Sequence, residues 1–331
     1  MEDRKFKAMV VEEIADGQFV RRIADKAIDS LPAGNVLINV KYSSLNYKDA
    51  LSATGNKGVT RRYPHTPGID AAGLVVESED PEFKPGDAVI VTSYDLGMNT
   101  SGGFGQYIRV PGAWVVPLPG NLTLQESMVY GTAGFTAGLS IFKLQANGVT
   151  PEQGAVLVTG ATGGVGSLAV AILAQAGYQV SAVSGKADGQ QFLQDLGAQE
   201  IISREDACDT SSRPLLKGRW AGVIDTVGGD ILATALKATN PHGTVTCCGN
   251  VASPTLNTTV FPFILRGVSL LGIDSQNCPM TIRRRIWQKL AGDWKLEHLE
   301  RVATEISLDA LETHIGLILQ GGQKGRVVVR L

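Results

Sequence analysis

The sequence predicts an α/β fold, a doubly wound parallel sheet preceded by a smaller β-barrel-like domain. Three observations carry this. A buried strand runs through glycines into an apolar helix at residues 155–176, and strand-like and helix-like windows alternate on its C-terminal side. The first 117 residues instead show short β-runs broken by Gly and Pro. A length of 331 residues suits two cores on the usual prior of about 150 residues per domain.

Composition narrows the class. Apolar residues make up 44% and charged residues 19%, which excludes a disordered chain and a coiled coil. A net charge of −2 without long blocks of one sign gives no general attraction to nucleic acid or to an anionic membrane, so the expected partner is a small molecule. No apolar stretch follows the charged N-terminal residues and no run of 18 apolar residues occurs, so the cytoplasm is the expected compartment. The four cysteines, Cys208, Cys247, Cys248 and Cys278, lack C-x-x-C spacing, and the four histidines show no metal-site pattern. Neither a disulfide framework nor a bound metal is expected.

Along the chain, β-runs are read at residues 8–11, 36–42, 73–76, 88–91, 106–110 and 114–117. Helical spacing takes over at 122–144. Apolar strand runs follow at 156–159, 180–183 and 223–225, with a further strand-like stretch at 200–203. Residues 325–331 alternate again, as a strand that could return to the first domain would. Cys247 and Cys248 read as the buried end of a strand rather than as redox groups.

The sharpest feature is Ala155-Val-Leu-Val-Thr-Gly-Ala-Thr-Gly-Gly-Val-Gly166. Glycines let a backbone approach phosphates, and the open N–H groups and positive end of the following helix receive their charge. Thr162, Gly163, Gly164 and Val165 are therefore expected to hold a dinucleotide pyrophosphate. At the end of the next strand, where an acid would hold the ribose of NAD, stand Ser184, Gly185 and Lys186, and Arg204 follows the next strand-like stretch. A hydroxyl, a flexible glycine and two cations suit a 2′-phosphate, so NADPH is the expected cofactor. Taken singly, Lys186 and Arg204 also read as ordinary solvated surface.

With these residues in place the chain resembles the medium-chain dehydrogenase/reductase superfamily, in its zinc-free, quinone-oxidoreductase-like division. The likeness rests on Ser43-Ser-Leu-Asn-Tyr-Lys-Asp-Ala50, Pro67-Gly-Ile-Asp-Ala-Ala-Gly73, Gly131-Thr-Ala-Gly-Phe-Thr-Ala137, the glycine turn, Asp225-Thr-Val-Gly-Gly229, Pro262-Phe-Ile-Leu-Arg266 and Gly325-Arg-Val-Val-Val329. The wording of several of these motifs points within that division to the acryloyl-coenzyme A reductases and the quinone oxidoreductases grouped with them. The resemblance implies a GroES-like catalytic domain at 1–125 and 300–331, a Rossmann NADPH-binding domain at 126–299, and a homodimer. Where zinc-dependent relatives carry Gly-His-Glu, this chain has Gly68-Ile69-Asp70, and Asn46-Tyr47 replaces a zinc-binding cysteine. Without that Lewis acid, reduction of an activated carbon–carbon double bond is the implied chemistry.

The resemblance places Tyr47 at the nicotinamide, as proton donor or as a stacking and packing group, with Lys48 and Asp49 able to orient it. Asp49 is a catalytic candidate and equally a candidate helix cap. Thr136, Asn250, Ile264, Ser275, Gln323 and Lys324 are implied cofactor contacts. Independently, residues 279–290 read as an amphipathic helix with Ile282, Ile286 and Leu290 inward and Thr281 as N-cap. Arg283, Arg284 and Arg285 would then crowd its first turn, where the helix dipole disfavours cations, which suggests a substrate anion such as a coenzyme A thioester. A solvated basic face partnered by Asp293 or Glu297 is the alternative.

Two enzymatic readings follow: NADPH-dependent reduction of a short enoyl thioester, led by acryloyl-coenzyme A to propanoyl-coenzyme A, and reduction of free quinones or 2-alkenals. A recruited binding protein on the same fold is the third.

Overall fold

The N-terminal β-runs become β1 (Lys5–Ala15), β2 (Gln18–Ala27), β3 (Val36–Leu45), β4 (Asp70–Ser78), β5 (Ala88–Thr92), β6 (Tyr107–Val110) and β7 (Val115–Pro117), with helix α1 (Tyr47–Ala53) after β3. There follow α2 (Leu124–Ala146), β8 (Val156–Val158), α3 (Gly164–Gln175), β9 (Val180–Val183), α4 (Gln190–Asp195), β10 (Glu200–Ile202), β11 (Trp220–Asp225), α5 (Gly229–Ala238) and β12 (Thr239–Cys247). The chain ends with α6 (Phe261–Arg266), β13 (Ser269–Gly272), α7 (Met280–Ala291), β14 (Ala303–Ser307), α8 (Leu311–Leu319) and β15 (Arg326–Arg330). The computed structural model describes residues 4–331.

Two compact units emerge. One comprises Met1–Thr132, Gln276–Ala291 and His298–Leu331; the other comprises Ala133–Ser275 and Gly292–Glu297. The sequence boundary expected near 126 thus falls at 132, and α7, expected in the nucleotide-binding domain, clusters with the first unit. The reason lies in α7's buried residues, Arg283, Ile286, Trp287 and Leu290, which recur at helical spacing and give the helix a face to bury.

In the first unit the sheet runs β14-β15-β3-β4-β5-β7, with β6 also on β3. The alternating C-terminal run does return here: β15 lies antiparallel to β3, with Val327 opposite Leu45. Val36, Ile38, Val40, Val75, Val89 and Val91 fill the core on one side of this sheet. Sequence pattern missed β14 and β2. β2 is the longer of the two. It pairs with β1 as a hairpin around Gly17, whose φ of 70° suits a tight turn, yet its exposed and half-buried residues leave no clean apolar alternation.

In the second unit six parallel strands follow the order β10-β9-β8-β11-β12-β13. Numbered within this unit, that is 3-2-1-4-5-6, the doubly wound dinucleotide fold, and the order reverses between β8 and β11. β8 is buried throughout, as a parallel strand covered on both faces must be. Among the described residues no helix is long and apolar enough to cross a membrane.

Candidate active site

The turn after β8 gives each glycine a separate task. Gly160 has φ +58°, and a Cβ there would lie 2.3 Å from Thr226 Oγ1. At Gly166 a Cβ would meet the Gly160 carbonyl oxygen at 2.4 Å, so the absent side chain lets α3 press onto the turn. Gly163 caps the helix and has only the Gly160 carbonyl nearby, at 3.3 Å. The amides of Gly164, Val165 and Gly166 stand in the first turn, where no carbonyl one turn back within α3 can receive them. This end of the helix can hold a pyrophosphate.

Beside it the strand ends gather the donors read from the sequence. Ser184 continues β9 by donating its amide to Ile202, and its Oγ accepts the Lys186 amide at 3.1 Å. Gly185 leaves room for Arg204: a Cβ there would come 2.6 Å from Arg204 Nε. Gly189 likewise abuts the methyl of Thr162, the Ser184 hydroxyl and Lys186. Thr162, Ser184, Lys186 and Arg204 therefore share one edge, and β9 ends without a carboxylate. Such a cluster fits a phosphorylated ribose. Asn250 stands exposed beside Gly228, Thr136 is buried in α2, Ile264 is exposed on α6, and Ser275 is half-buried.

In the first unit Tyr47 opens α1 and is 41% exposed. What holds it is a buried polar cluster. Asp70 accepts from the Ser44 hydroxyl at 2.6 Å, from Asn46 Nδ2 at 2.7 Å and from the Thr132 hydroxyl at 2.6 Å. Arg326 stands 3.7 Å away and reaches the same two bridges, donating to Ser44 Oγ at 2.8 Å and Asn46 Oδ1 at 3.1 Å. It also donates to the carbonyls of Leu45 and Val129. Burial lowers the Arg326 pKa, and Asp70 and Asp49 act against that. Gly131 completes the cluster by having no side chain. It breaks α2 at φ 49°, and a Cβ would lie 2.5 Å from Asp70 and 2.6 Å from Ser44.

The structure corrects the catalytic reading of Asp49. The residue is fully buried, and its carboxylate accepts the amides of Asn46 and Ile69, each at 2.8 Å. It caps α1 and fixes the chain at Ile69; it cannot touch a substrate. Burial first, and Asp70 second, push its carboxyl up to about 7. Lys48, next to Tyr47, donates to Gln276 Oε1 at 2.7 Å. Gln323 and Lys324 precede β15, with Gln323 donating to the Lys324 carbonyl.

The arginine triplet is corrected too. α7 begins at Met280, so Thr281 lies inside the helix and the arginines lie beyond its first three positions. Arg283 is 0% exposed, donates to Thr92 and to the Gln276 carbonyl, and stacks 4.3 Å from the centre of the Tyr94 ring. It is a structural group, unavailable to a substrate anion. Its partners hold a kink: Ser93 and Tyr94 have φ of 64° and 51°, costly for residues with side chains. Arg284 pairs with Glu82 at 2.6 Å rather than with either acid expected from the sequence.

Ile69, at the position of a zinc-ligating histidine, is buried, and among the described residues no three His, Cys, Asp or Glu side chains converge as metal ligands would. Sequence reading gave no role to Ser44, Asp70, Thr132, Gln276 or Arg326. Ser44, Asp70, Thr132 and Arg326 stand in the motifs that carry the resemblance, but nothing local in them shows that they meet, and Gln276 lies in none.

Residues 32–120 match the family described as alcohol dehydrogenase GroES-like domain, and residues 164–292 the family described as zinc-binding dehydrogenase. The quinone oxidoreductase-like YhfP of Bacillus subtilis is 47% identical over 98% of this chain and 99% of its own. The acrylyl-CoA reductase AcuI of Ruegeria pomeroyi is 43% identical over 98% of each. Among solved structures, the yhdH oxidoreductase of Salmonella enterica in complex with NADP superposes with a TM-score of 0.95 at 43% identity, covering 98% of this chain and 99% of that one. The B. subtilis yhfP structure with NAD bound gives 0.96 at 46% identity, covering 99% and 100%.

One pH effect follows from Asp49. Its carboxyl binds a proton more tightly in the folded chain, at about 7, than in the unfolded chain, near 3.8. Its contribution to stability is therefore full below about pH 4 and is lost as pH rises to about 7. Asp49→Asn cannot titrate, so the melting-temperature advantage of the wild type over this variant should shrink between pH 4 and 7 and stay level above. A gap that widens across that interval would contradict the assignment.

Proposed function

Because the chain belongs to the quinone-oxidoreductase-like division of the medium-chain dehydrogenase/reductase family, we propose that it reduces the activated carbon–carbon double bond of a short enoyl thioester with NADPH, acryloyl-coenzyme A to propanoyl-coenzyme A being the leading case. The observation that carries the reading is the cluster of Thr162, Ser184, Lys186 and Arg204 at strand ends where an NAD-specific site would need a carboxylate. The relative named acrylyl-CoA reductase and the NADP in the Salmonella structure support it. The NAD in the B. subtilis structure makes nucleotide preference the point to measure.

When bound, NADPH supplies a hydride to the β-carbon of the alkene. The protein must bind the thioester, stabilise the charge that moves onto its α-carbon and carbonyl, and deliver one proton to the α-carbon, so that CH2=CH–CO–S becomes CH3–CH2–CO–S. Tyr47 is the proposed proton source: its phenol is exposed while its backbone is fixed by Asn46, Asp49 and the Asp70–Arg326 cluster. Asp49, Lys48 and Gln276 are positioning residues. The amides of α3, with Thr162, hold the pyrophosphate, and Ser184, Lys186 and Arg204 hold the 2′-phosphate. Thr136, Asn250, Ile264, Ser275, Gln323 and Lys324 remain proposed cofactor contacts.

A second reading, reduction of free quinones or 2-alkenals, is favoured by the name of YhfP. A homodimer and a cytoplasmic location belong to the proposal as well. β13 is an edge strand, and Val260, Phe261, Ile264 and Leu265 just before it are exposed. Sedimentation as a monomer at micromolar concentration would reject the dimer.

Assay of acryloyl- and crotonyl-coenzyme A, quinones and 2-alkenals with each nucleotide tests the function. Acryloyl-coenzyme A with NADPH should give the highest kcat/KM, and NADPH should bind at least ~10-fold tighter than NADH, the worth of one or two charge-assisted contacts. Equal nucleotide affinities, or a quinone that outpaces every thioester, would overturn the reading.

Tyr47→Phe keeps the ring and removes the proton. It should lower kcat by ~10²-fold or more while NADPH affinity barely moves. A raised NADPH Kd with unchanged kcat would make Tyr47 a stacking residue instead.

A further inference from the structure

Asp225 closes β11 with a carboxylate wholly removed from water, and a buried carboxylate is tolerated only where donors meet it. It is met on both oxygens. One accepts the Thr159 hydroxyl at 2.8 Å; the other accepts the Gly228 amide at 2.8 Å and lies 3.8 Å from the Cys247 thiol. Burial pushes the Asp225 carboxyl up, and the hydrogen bonds from Thr159 and Gly228 act against that.

These donors belong to the two sides of the nucleotide crevice. β8 and β11 are the neighbours between which the strand order reverses, the place where a doubly wound sheet receives a dinucleotide. Thr159 immediately precedes Gly160, the first glycine of the phosphate turn. Its hydroxyl, while donating to Asp225, accepts the Thr226 amide at 3.0 Å, and its carbonyl accepts the Thr226 hydroxyl at 2.9 Å. The turn is thus fastened to residues 225–226. On the other side Gly228 has φ 71°, and a Cβ there would stand 3.3 Å from the Gly249 carbonyl oxygen and 3.4 Å from Asn250 Cα. The Val227 carbonyl accepts the Ala252 amide at 2.9 Å, which joins the same loop. A single carboxylate therefore ties the phosphate turn to the loop that carries Asn250.

We propose that Asp225 is a positioning residue for the nucleotide: its carboxylate holds the Thr159–Gly160 turn and the Gly228 and Asn250 segments at the spacing that a bound dinucleotide requires. This rests on the NADPH reading above. It concerns the phosphate turn and not the 2′-phosphate donors Ser184, Lys186 and Arg204.

Asp225→Asn keeps the size and exchanges one acceptor for an NH2 group. Turned toward Gly228, that group meets an N–H; turned toward Thr159, it leaves the hydroxyl proton without its acceptor. Neither orientation restores both bonds.

The test is calorimetric titration of wild type and variants with NADPH and with adenosine 2′-phosphate, which presents the 2′-phosphate but no pyrophosphate. Asp225→Asn should raise the NADPH Kd at least ~10-fold, the cost of leaving a buried hydrogen-bonding group unsatisfied, and leave the adenosine 2′-phosphate Kd unchanged. Thr159→Val keeps the side-chain shape without the bridge and should weaken NADPH in the same selective way. The double variant should lose less than the product of the two single losses, because both changes remove one bond. An unchanged NADPH Kd in Asp225→Asn would overturn the proposal, and so would an equal loss for both ligands, as damage spread through the whole domain would give. If Asp225→Asn does not fold, the same two ligands on Thr159→Val decide. If wild type fails to bind adenosine 2′-phosphate, the placement of the 2′-phosphate is wrong, and the NADPH titration still decides: a raised Kd with every site retained supports the role of Asp225, whereas lost sites with an unchanged Kd reject it.

Discussion

Asp70 and Arg326 put opposite charges 3.7 Å apart in the interior of the first unit, where each is almost wholly removed from water. Burying an ion costs several kcal/mol, and attraction between partners offsets it only when the remaining donors and acceptors are also satisfied. That requirement organises the surrounding chain. Ser44 and Asn46 at the end of β3 bridge the two charges, Thr132 closes the carboxylate with its amide and hydroxyl, and Leu45 and Val129 give their carbonyls to the guanidinium. Gly131 must lack a side chain for the cluster to close. Tyr47, the residue after Asn46, inherits its position from this arrangement.

The cluster also explains how distant segments act as one site. β3, β4, the start of α2 and β15 come from widely separated stretches of sequence, yet each contributes a side chain or a carbonyl to the same pair of charges. A network of this kind fixes geometry more than it adds stability, since an apolar replacement of similar shape is often no less stable. The reading that Tyr47 works as a proton donor depends on that geometry. Nucleotide recognition depends on a different constraint, the three close approaches at Gly160, Gly166 and Gly185, which bring the Thr226 side chain, the turn's own backbone and Arg204 respectively where a Cβ would otherwise stand.

These two constraints were unequally legible in the sequence. The nucleotide turn could be read almost completely, because a strand, its glycines and the following helix are contiguous, and Ser184 and Lys186 follow at the next strand end. β15 was visible as a run, β12 only through its buried end at Cys247 and Cys248, and β2 not at all, because its exposed residues carry no apolar alternation. The buried charges were hidden for another reason: Asp70 and Arg326 are 256 positions apart, and spacing arguments reach only a few residues. Arg283 was misread because an arginine is expected outward. Counting Trp287 with Ile286 and Leu290 shifts the apolar stripe by one residue and puts Arg283 on it.

The central claim is that the Asp70–Arg326 pair acts as a unit which fixes the segment carrying Tyr47. A double-mutant cycle of Asp70→Asn and Arg326→Gln, read by melting temperature, tests it most directly. Each single change should destabilise strongly, by roughly 3–5 kcal/mol, because it leaves one buried charge unpaired. The double variant should recover part of that loss, with a coupling of roughly 1–3 kcal/mol. Strictly additive effects would contradict the account.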